Sequence, residues 1–179
     1  CPGSKSFGAA IDMQNKGEVI SCDLHKNKLS LVESGAARLG ISILQTEERD
    51  ARNTNEAWLG NFDRVLCDVP CSGFGVFAKK PELRYKDPAR SADLPDIQLA
   101  IAESACRYVK VGGALYYSTC SLFECENDGV AQAFLKAHPE YTIEQLDSPL
   151  VHEKKACGLQ FLPDTAYGAG FYVCKLVKA

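Results

Sequence analysis

Apolar runs of strand length alternate with amphipathic helical stretches along most of this chain, and few architectures accommodate that alternation. The strand-like runs are Glu18 to Asp23, Ile41 to Glu47, Phe62 to Val69, Ala114 to Cys120 and Thr142 to Leu146. Helical periodicity fills Lys26 to Leu39, Leu94 to Val109 and Glu124 to Ala137. Such a pattern predicts parallel strands joined by helical crossovers, with helices over both faces of the sheet. The tail differs: GLQFLP and AGFYVCKLVK flank the turn-rich DTAYG and predict a closing antiparallel hairpin. The expected fold class is α/β, a doubly wound, mostly parallel sheet with an antiparallel C-terminal edge.

With 179 residues and 46% hydrophobic content, the chain is long enough to bury a substantial core and is expected to form one domain, residues 1–179. It opens on Cys1-Pro2-Gly3-Ser4, which reads as the turn after a strand. The first strand of the sheet is therefore expected to be missing, and the chain to be a fragment of a longer polypeptide. No run of about eighteen apolar residues and no secretory leader pattern is present. The nine cysteines are odd in number and spread through a core-forming chain, unlike a disulfide scaffold, so a reducing, cytoplasmic setting is expected. The formal net charge of −3 gives no global signal for a polyanion, which leaves local basic patches to supply any nucleic-acid contact. One such patch, Lys79, Lys80, Arg84, Lys86 and Arg90, lies in AKKPELRYKDPAR, where two prolines predict an extended surface loop.

In sheets of this class ligands bind beyond the carboxyl ends of the strands, so the residues that follow each strand carry the functional reading. The turn Pro2-Gly3-Ser4-Lys5 precedes a helix, where small residues let backbone N–H groups approach a polar or anionic ligand. Asp23 ends a strand, the position at which a carboxylate accepts from both ribose hydroxyls of a nucleoside cofactor; the competing role is a cap for the helix behind it. Asp50, in the next such loop, is placed to face an adenine amino group. At the end of FDRVLCDV, Asp68-Val69-Pro70-Cys71-Ser72-Gly73 puts a carboxylate and a thiol on one proline-fixed turn, and the carboxylate is a suitable acceptor for the exocyclic amine of cytosine. Ser118-Thr119-Cys120-Ser121 sets a second thiol at a strand-to-helix junction, where the positive helix end favours the thiolate and makes Cys120 a credible nucleophile. A metal site built from Cys67, Cys71, Cys120 and Cys125 is the rival reading, but the spacings depart from paired CxxC.

The segments DVPCSGFGV, STCSLFECEN and PGSK, with DLHKNKL, KKPELRYK, LPDIQLAIAESACRYVKVGGALYYSTCS and LPDTAYGAGFYVCKLVK, resemble the Sun-related RNA cytosine-5 methyltransferases over almost the whole chain. The resemblance implies a Rossmann-like methyltransferase sheet that uses S-adenosyl-L-methionine, held by Pro2, Gly3, Ser4, Lys5, Asp23, Asp50 and Asp68. It implies nucleophilic attack by Cys120 on a cytosine, assisted by Asp68, with Cys71 releasing the product. Single-stranded or locally opened ribosomal RNA is the expected partner, bound by a monomer that needs neither membrane nor metal. PGSK stands where the family usually has PGGK, which is expected to force a glycine-like backbone on Ser4. Two rivals accompany this reading. One is a noncatalytic RNA-binding remnant; the other is a DNA cytosine-5 methyltransferase, in which the Pro-Cys thiol would itself attack.

Overall fold

A computed structural model describes residues 3–165 and 168–179, and the chain divides into two compact units, residues 1–53 and 54–179. Pro2 lies outside the described residues.

In the first unit, helix α1 (Ser4–Asp12) leads to strand β1 (Val19–Asp23), helix α2 (Lys26–Arg38) and strand β2 (Leu44–Glu48). β1 and β2 pair in parallel from Val19 opposite Leu44 to Asp23 opposite Glu48, as a helical crossover requires. α2 buries Leu29, Val32 and Ala36, one stripe at helical spacing. It stops at Gly40, whose φ of 68° is the left-handed conformation that frees Ile41 N–H to bond the Ala36 carbonyl at 2.9 Å. Ala10, Ala36 and Ile41 form the small core, with Phe7, Val19, Ile43 and Leu44 packed against it.

The second unit contains β3 (Phe62–Asp68), α3 (Leu94–Cys106), β4 (Val109–Thr119), α4 (Asp128–Ala137), β5 (Tyr141–Glu144), β6 (Glu153–Lys154), β7 (Gly158–Phe161) and β8 (Phe171–Lys178). Its sheet runs in the order β3-β4-β8-β7-β6, with β5 also paired to β8. β3 and β4 are parallel, while β8 is antiparallel to β4, β5 and β7. β3, β4, β5 and β7 therefore run one way and β6 and β8 the other. This is the mostly parallel Rossmann-like sheet with the antiparallel β7–β8 hairpin expected from the tail. Along β8 the buried residues alternate, Tyr172, Cys174 and Leu176, and face a core shared with Ala102 and Ala105 of α3 and Val130, Ala131 and Phe134 of α4. Among the described residues no helix is long and apolar enough to cross a membrane.

Several boundaries differ from those expected. The helix read to Val109 ends at Cys106, because Val109 is already paired with Phe62 as the first residue of an eleven-residue β4. The helix read from Glu124 begins at Asp128, after a 3₁₀ turn over Glu124–Glu126 and a break at Asn127 (φ −109°, ψ −104°). The loop from Lys79 to Arg90 is not extended. It folds into two 3₁₀ turns, Pro81–Tyr85 and Pro88–Ser91, each with a proline in its opening positions, where the missing N–H costs nothing.

Candidate active site

The β3–β4 register sets Asp68 opposite Ser118, so the turns leaving the two strands start side by side. Cys71 and Cys120 consequently meet with their Sγ atoms 2.8 Å apart, although 49 residues separate them in sequence. The backbone N–H of Cys120 also donates to Cys71 Sγ at 3.2 Å. The bond to Cys120, and after it burial, push the Cys71 thiol far above its ordinary pKa. Either sulfur can be the donor in that contact. Asp68, exposed at the end of β3, accepts from Ser118 Oγ at 3.1 Å through Oδ1.

The expected reason for an activated Cys120, a helix beginning just behind it, is not what the fold provides. α4 starts eight residues later at Asp128, with its first turn acidic.

Sequence reasoning missed a buried carboxylate beneath this pair. Glu126, 1% exposed, accepts from Ser72 N–H at 2.8 Å and Gln98 Nε2 at 2.9 Å through Oε2, and from Ser121 Oγ at 2.6 Å through Oε1. Gln98, fully buried, also donates Nε2 to the Pro70 carbonyl at 2.9 Å and accepts from Tyr117 OH at 3.2 Å. Ser72 and Ser121 hydroxyls lie 3.0 Å apart. Asn127 accepts from Thr119 Oγ1 at 2.5 Å and donates to the Ser121 carbonyl at 3.1 Å. One signal was available: Gln98 shares its helical stripe with Ala102 and Ala105, and a glutamine on an apolar stripe has to satisfy its amide inside.

The remaining candidates fall into two groups. In the first unit Gly3 takes φ 90° as the N-cap of α1 and offers the first-turn amides no side-chain cap. Ser4 is the first helical residue and Lys5 follows it, both exposed. The glycine-like backbone expected at Ser4 thus falls on Gly3 instead, and Ser4 carries no left-handed strain. Asp23 accepts the His25 N–H at 2.9 Å and pairs with Lys28 Nζ at 3.4 Å, both through Oδ1, which leaves Oδ2 without a protein partner among the described residues. Asp50 is engaged by Arg52, with Nη2 2.6 Å from Oδ2 and Nε 3.0 Å from Oδ1, and the guanidinium lowers its carboxyl to about 2.

In the second unit Lys79, Lys80, Arg84 and Arg90 are exposed, as is Tyr85 beside them. Lys86 is different: half-buried, it donates Nζ to the Ser72 carbonyl at 2.9 Å. The four cysteines of the rival metal site do not converge. Cys67 is buried in the core with its thiol pushed up to about 12 by burial, Cys125 is exposed, and no group of three or more His, Cys, Asp or Glu among the described residues is arranged to hold a metal.

Residues 1–177 match the family described as 16S rRNA methyltransferase RsmB/F. The chain is 42% identical over 187 residues to the Probable ribosomal RNA small subunit methyltransferase B of Bacillus subtilis, covering 99% of this chain and 41% of that protein. It is 32% identical over 183 residues to the Ribosomal RNA small subunit methyltransferase F of Shewanella sediminis, covering 99% of this chain and 38% of that protein. The chain thus spans about two fifths of the length of these curated relatives. Among solved structures, NSun6 from Pyrococcus horikoshii, crystallised with SFG, is similar at a TM-score of 0.83 and 28% identity, over 99% of this chain and 45% of that one.

Proposed function

The chain belongs to the 16S rRNA methyltransferase RsmB/F family, and we propose that it is the catalytic domain of an S-adenosylmethionine-dependent RNA cytosine-5 methyltransferase acting on ribosomal RNA, in which Cys120 attacks and Cys71 releases. The observation that carries this reading is the pair of thiols, delivered by two separate strands to 2.8 Å. A structural role for one cysteine does not call for the other at that distance.

The cofactor fits what the first unit offers. Gly3 gives the opening amides of α1 no side-chain cap, and Oδ2 of Asp23 is a matching acceptor for a ribose hydroxyl. A similar structure was solved with SFG, an S-adenosylmethionine analogue. In this reading Gly3, Ser4, Lys5 and Asp23 hold the cofactor, joined by Pro2 and Asp50, to which the family resemblance assigns the same role. When bound, the cofactor supplies an electrophilic methyl group.

Carbon 5 of cytosine is a poor nucleophile until a thiolate adds to carbon 6. In this reading Cys120, which lies against the Cys71 thiol, is the sulfur that adds. The Cys120–C6 bond gives carbon 5 enamine character, and Asp68 steadies the adduct through the ring nitrogen and exocyclic amine. After methylation a proton must leave carbon 5 so that the Cys120–C6 bond can break; Cys71 assists that elimination. The base has to be unstacked to expose both faces, which suits single-stranded or locally opened RNA, and the exposed cations Lys79, Lys80, Arg84 and Arg90 suit its phosphates.

The test is incubation of the full-length protein containing this chain with ribosomal RNA and labelled S-adenosylmethionine, followed by bisulfite mapping. New protected cytosines that vanish with Cys120→Ala support the reading. Cofactor binding with no methylated cytosine in any RNA overturns it in favour of a noncatalytic module.

A further inference from the structure

Glu126 is a carboxylate sealed from water, and its hydrogen-bonded partners, Ser72, Gln98 and Ser121, include no cation. A charge in that position is costly unless donors surround it, and an apolar side chain would fill the same space at less cost. Its three donors have one thing in common: each belongs to, or holds, a thiol turn. Oε2 takes the N–H of the residue after Cys71, and Oε1 takes the hydroxyl of the residue after Cys120. Through Gln98 the same carboxylate is tied to the carbonyl of the residue before Cys71.

We propose that Glu126 is a positioning residue that sets the distance between the two thiols, each of its oxygens fixing one of the turns that carry them. The proposal rests on the reading of Cys71 and Cys120 as the reacting pair, and adds the element that keeps them in register. The β3–β4 pairing brings the turns close but ends at Asp68 and Ser118, before either thiol. Beyond that point Glu126 adds a buried cross-brace to the Ser72–Ser121 hydroxyl contact and the Gly75 N–H bond to the Cys120 carbonyl, and small displacements of paired reacting groups lower their effective concentration steeply.

The experiment measures that concentration directly in the full-length protein. In glutathione buffers Cys71 and Cys120 each give up a hydrogen to form one S–S bond while oxidised glutathione is reduced to two thiols, and peptide mapping after alkylation gives the fraction linked. Glu126→Ala is expected to lower the linkage equilibrium constant by about tenfold or more. Glu126→Gln should stay within about threefold of the native protein, since its amide oxygen still accepts from Ser72 and Gln98 and its amide nitrogen can donate to Ser121 Oγ. In methyl transfer, kcat should fall in Glu126→Ala and recover in Glu126→Gln, with the cofactor KM unchanged. A folded Glu126→Ala protein that links its thiols as well as the native one overturns the proposal. Should that variant fail to fold, Ser121→Ala carries the test: a lowered linkage constant supports the brace and an unchanged one overturns it. A native protein that transfers no methyl group, yet whose thiol linkage depends on Glu126, would sink the enzymatic reading and leave the brace standing.

Discussion

Gly75 donates its backbone N–H to the carbonyl of Cys120 at 2.8 Å, so the Pro-Cys turn folds back onto the residue that carries the second thiol. The other side of Gly75 is equally occupied, since its own carbonyl accepts the Gly170 N–H at 2.6 Å. A Cβ at Gly75 would press into the Gly170 carbonyl oxygen and lie 2.7 Å from that of Cys120, and backbone on both sides cannot yield cheaply. Gly75→Ala is expected to destabilise the protein by about 1–3 kcal/mol, the usual cost of overpacking, and to lower Tm by several degrees. Methyl transfer should fall further than the reduced stability explains, because Cys120 must shift. Thermal melts beside activity measured well below Tm check both parts; native activity would show that the turn can move without disturbing the thiol.

The basic loop separates into two kinds of cation. Lys79, Lys80 and Arg84 are exposed, and replacing all three by Ala should reduce the slope of log affinity against log salt for single-stranded RNA by roughly 0.7 for each phosphate that is no longer neutralised. Lys86 instead holds the Ser72 carbonyl. Lys86→Ala is expected to lower kcat with a smaller change in the salt slope. RNA titrations at several salt concentrations distinguish the two, and equal slopes for the triple variant and the native protein would make the loop a solvated surface.

Asp23 does two jobs in this reading, and its two oxygens allow them to be separated. Oδ1 takes the His25 N–H and Lys28, while Oδ2 is left for a ligand. Asp23→Ala should weaken S-adenosylmethionine binding about tenfold or more, or about 1.4 kcal/mol, and loosen the start of α2. Asp23→Asn, with its amide oxygen toward His25, keeps the turn and presents a donor in place of the acceptor, so it should lose affinity with little loss of stability. Calorimetric titration of both variants checks this; unchanged affinity in each would remove Asp23 from the site.

How much the sequence reveals depends on how local the cause is. Strand and helix identities follow from periodicity, and the two thiol turns from their position after apolar runs. The reach of β4 back to Val109 is hidden, because Val109 joins the sheet through its pairing with Phe62, a neighbour distant in sequence. Proline alone does not reveal the loop's shape: Pro81 and Pro88 would each interrupt a longer helix, yet each opens a 3₁₀ turn. Glu126 escapes notice for a related reason. A glutamate after a cysteine turn ordinarily faces water, and only the convergence of Ser72, Gln98 and Ser121, from three separate segments, makes its burial tolerable.

The last prediction follows from the asymmetry of the thiol pair. In the proposed mechanism Cys120 attacks and Cys71 releases, so the two thiols, although in contact, are not interchangeable. The two substitutions must then fail at different steps. Cys120→Ala should abolish methyl transfer and leave S-adenosylmethionine affinity intact, since the proposed cofactor contacts of Gly3, Ser4, Lys5 and Asp23 do not involve it. Cys71→Ala should still form the Cys120–C6 bond and methylate carbon 5, but without the assistance that removes the carbon 5 proton the RNA stays attached. Denaturing gels run under reducing conditions should show a protein–RNA adduct for Cys71→Ala and none for Cys120→Ala. An adduct confined to Cys120→Ala would reverse the roles and make Cys71 the nucleophile, as in a DNA-type enzyme. Full activity in both variants would remove the thiols from the chemistry and leave their 2.8 Å approach as a packing contact.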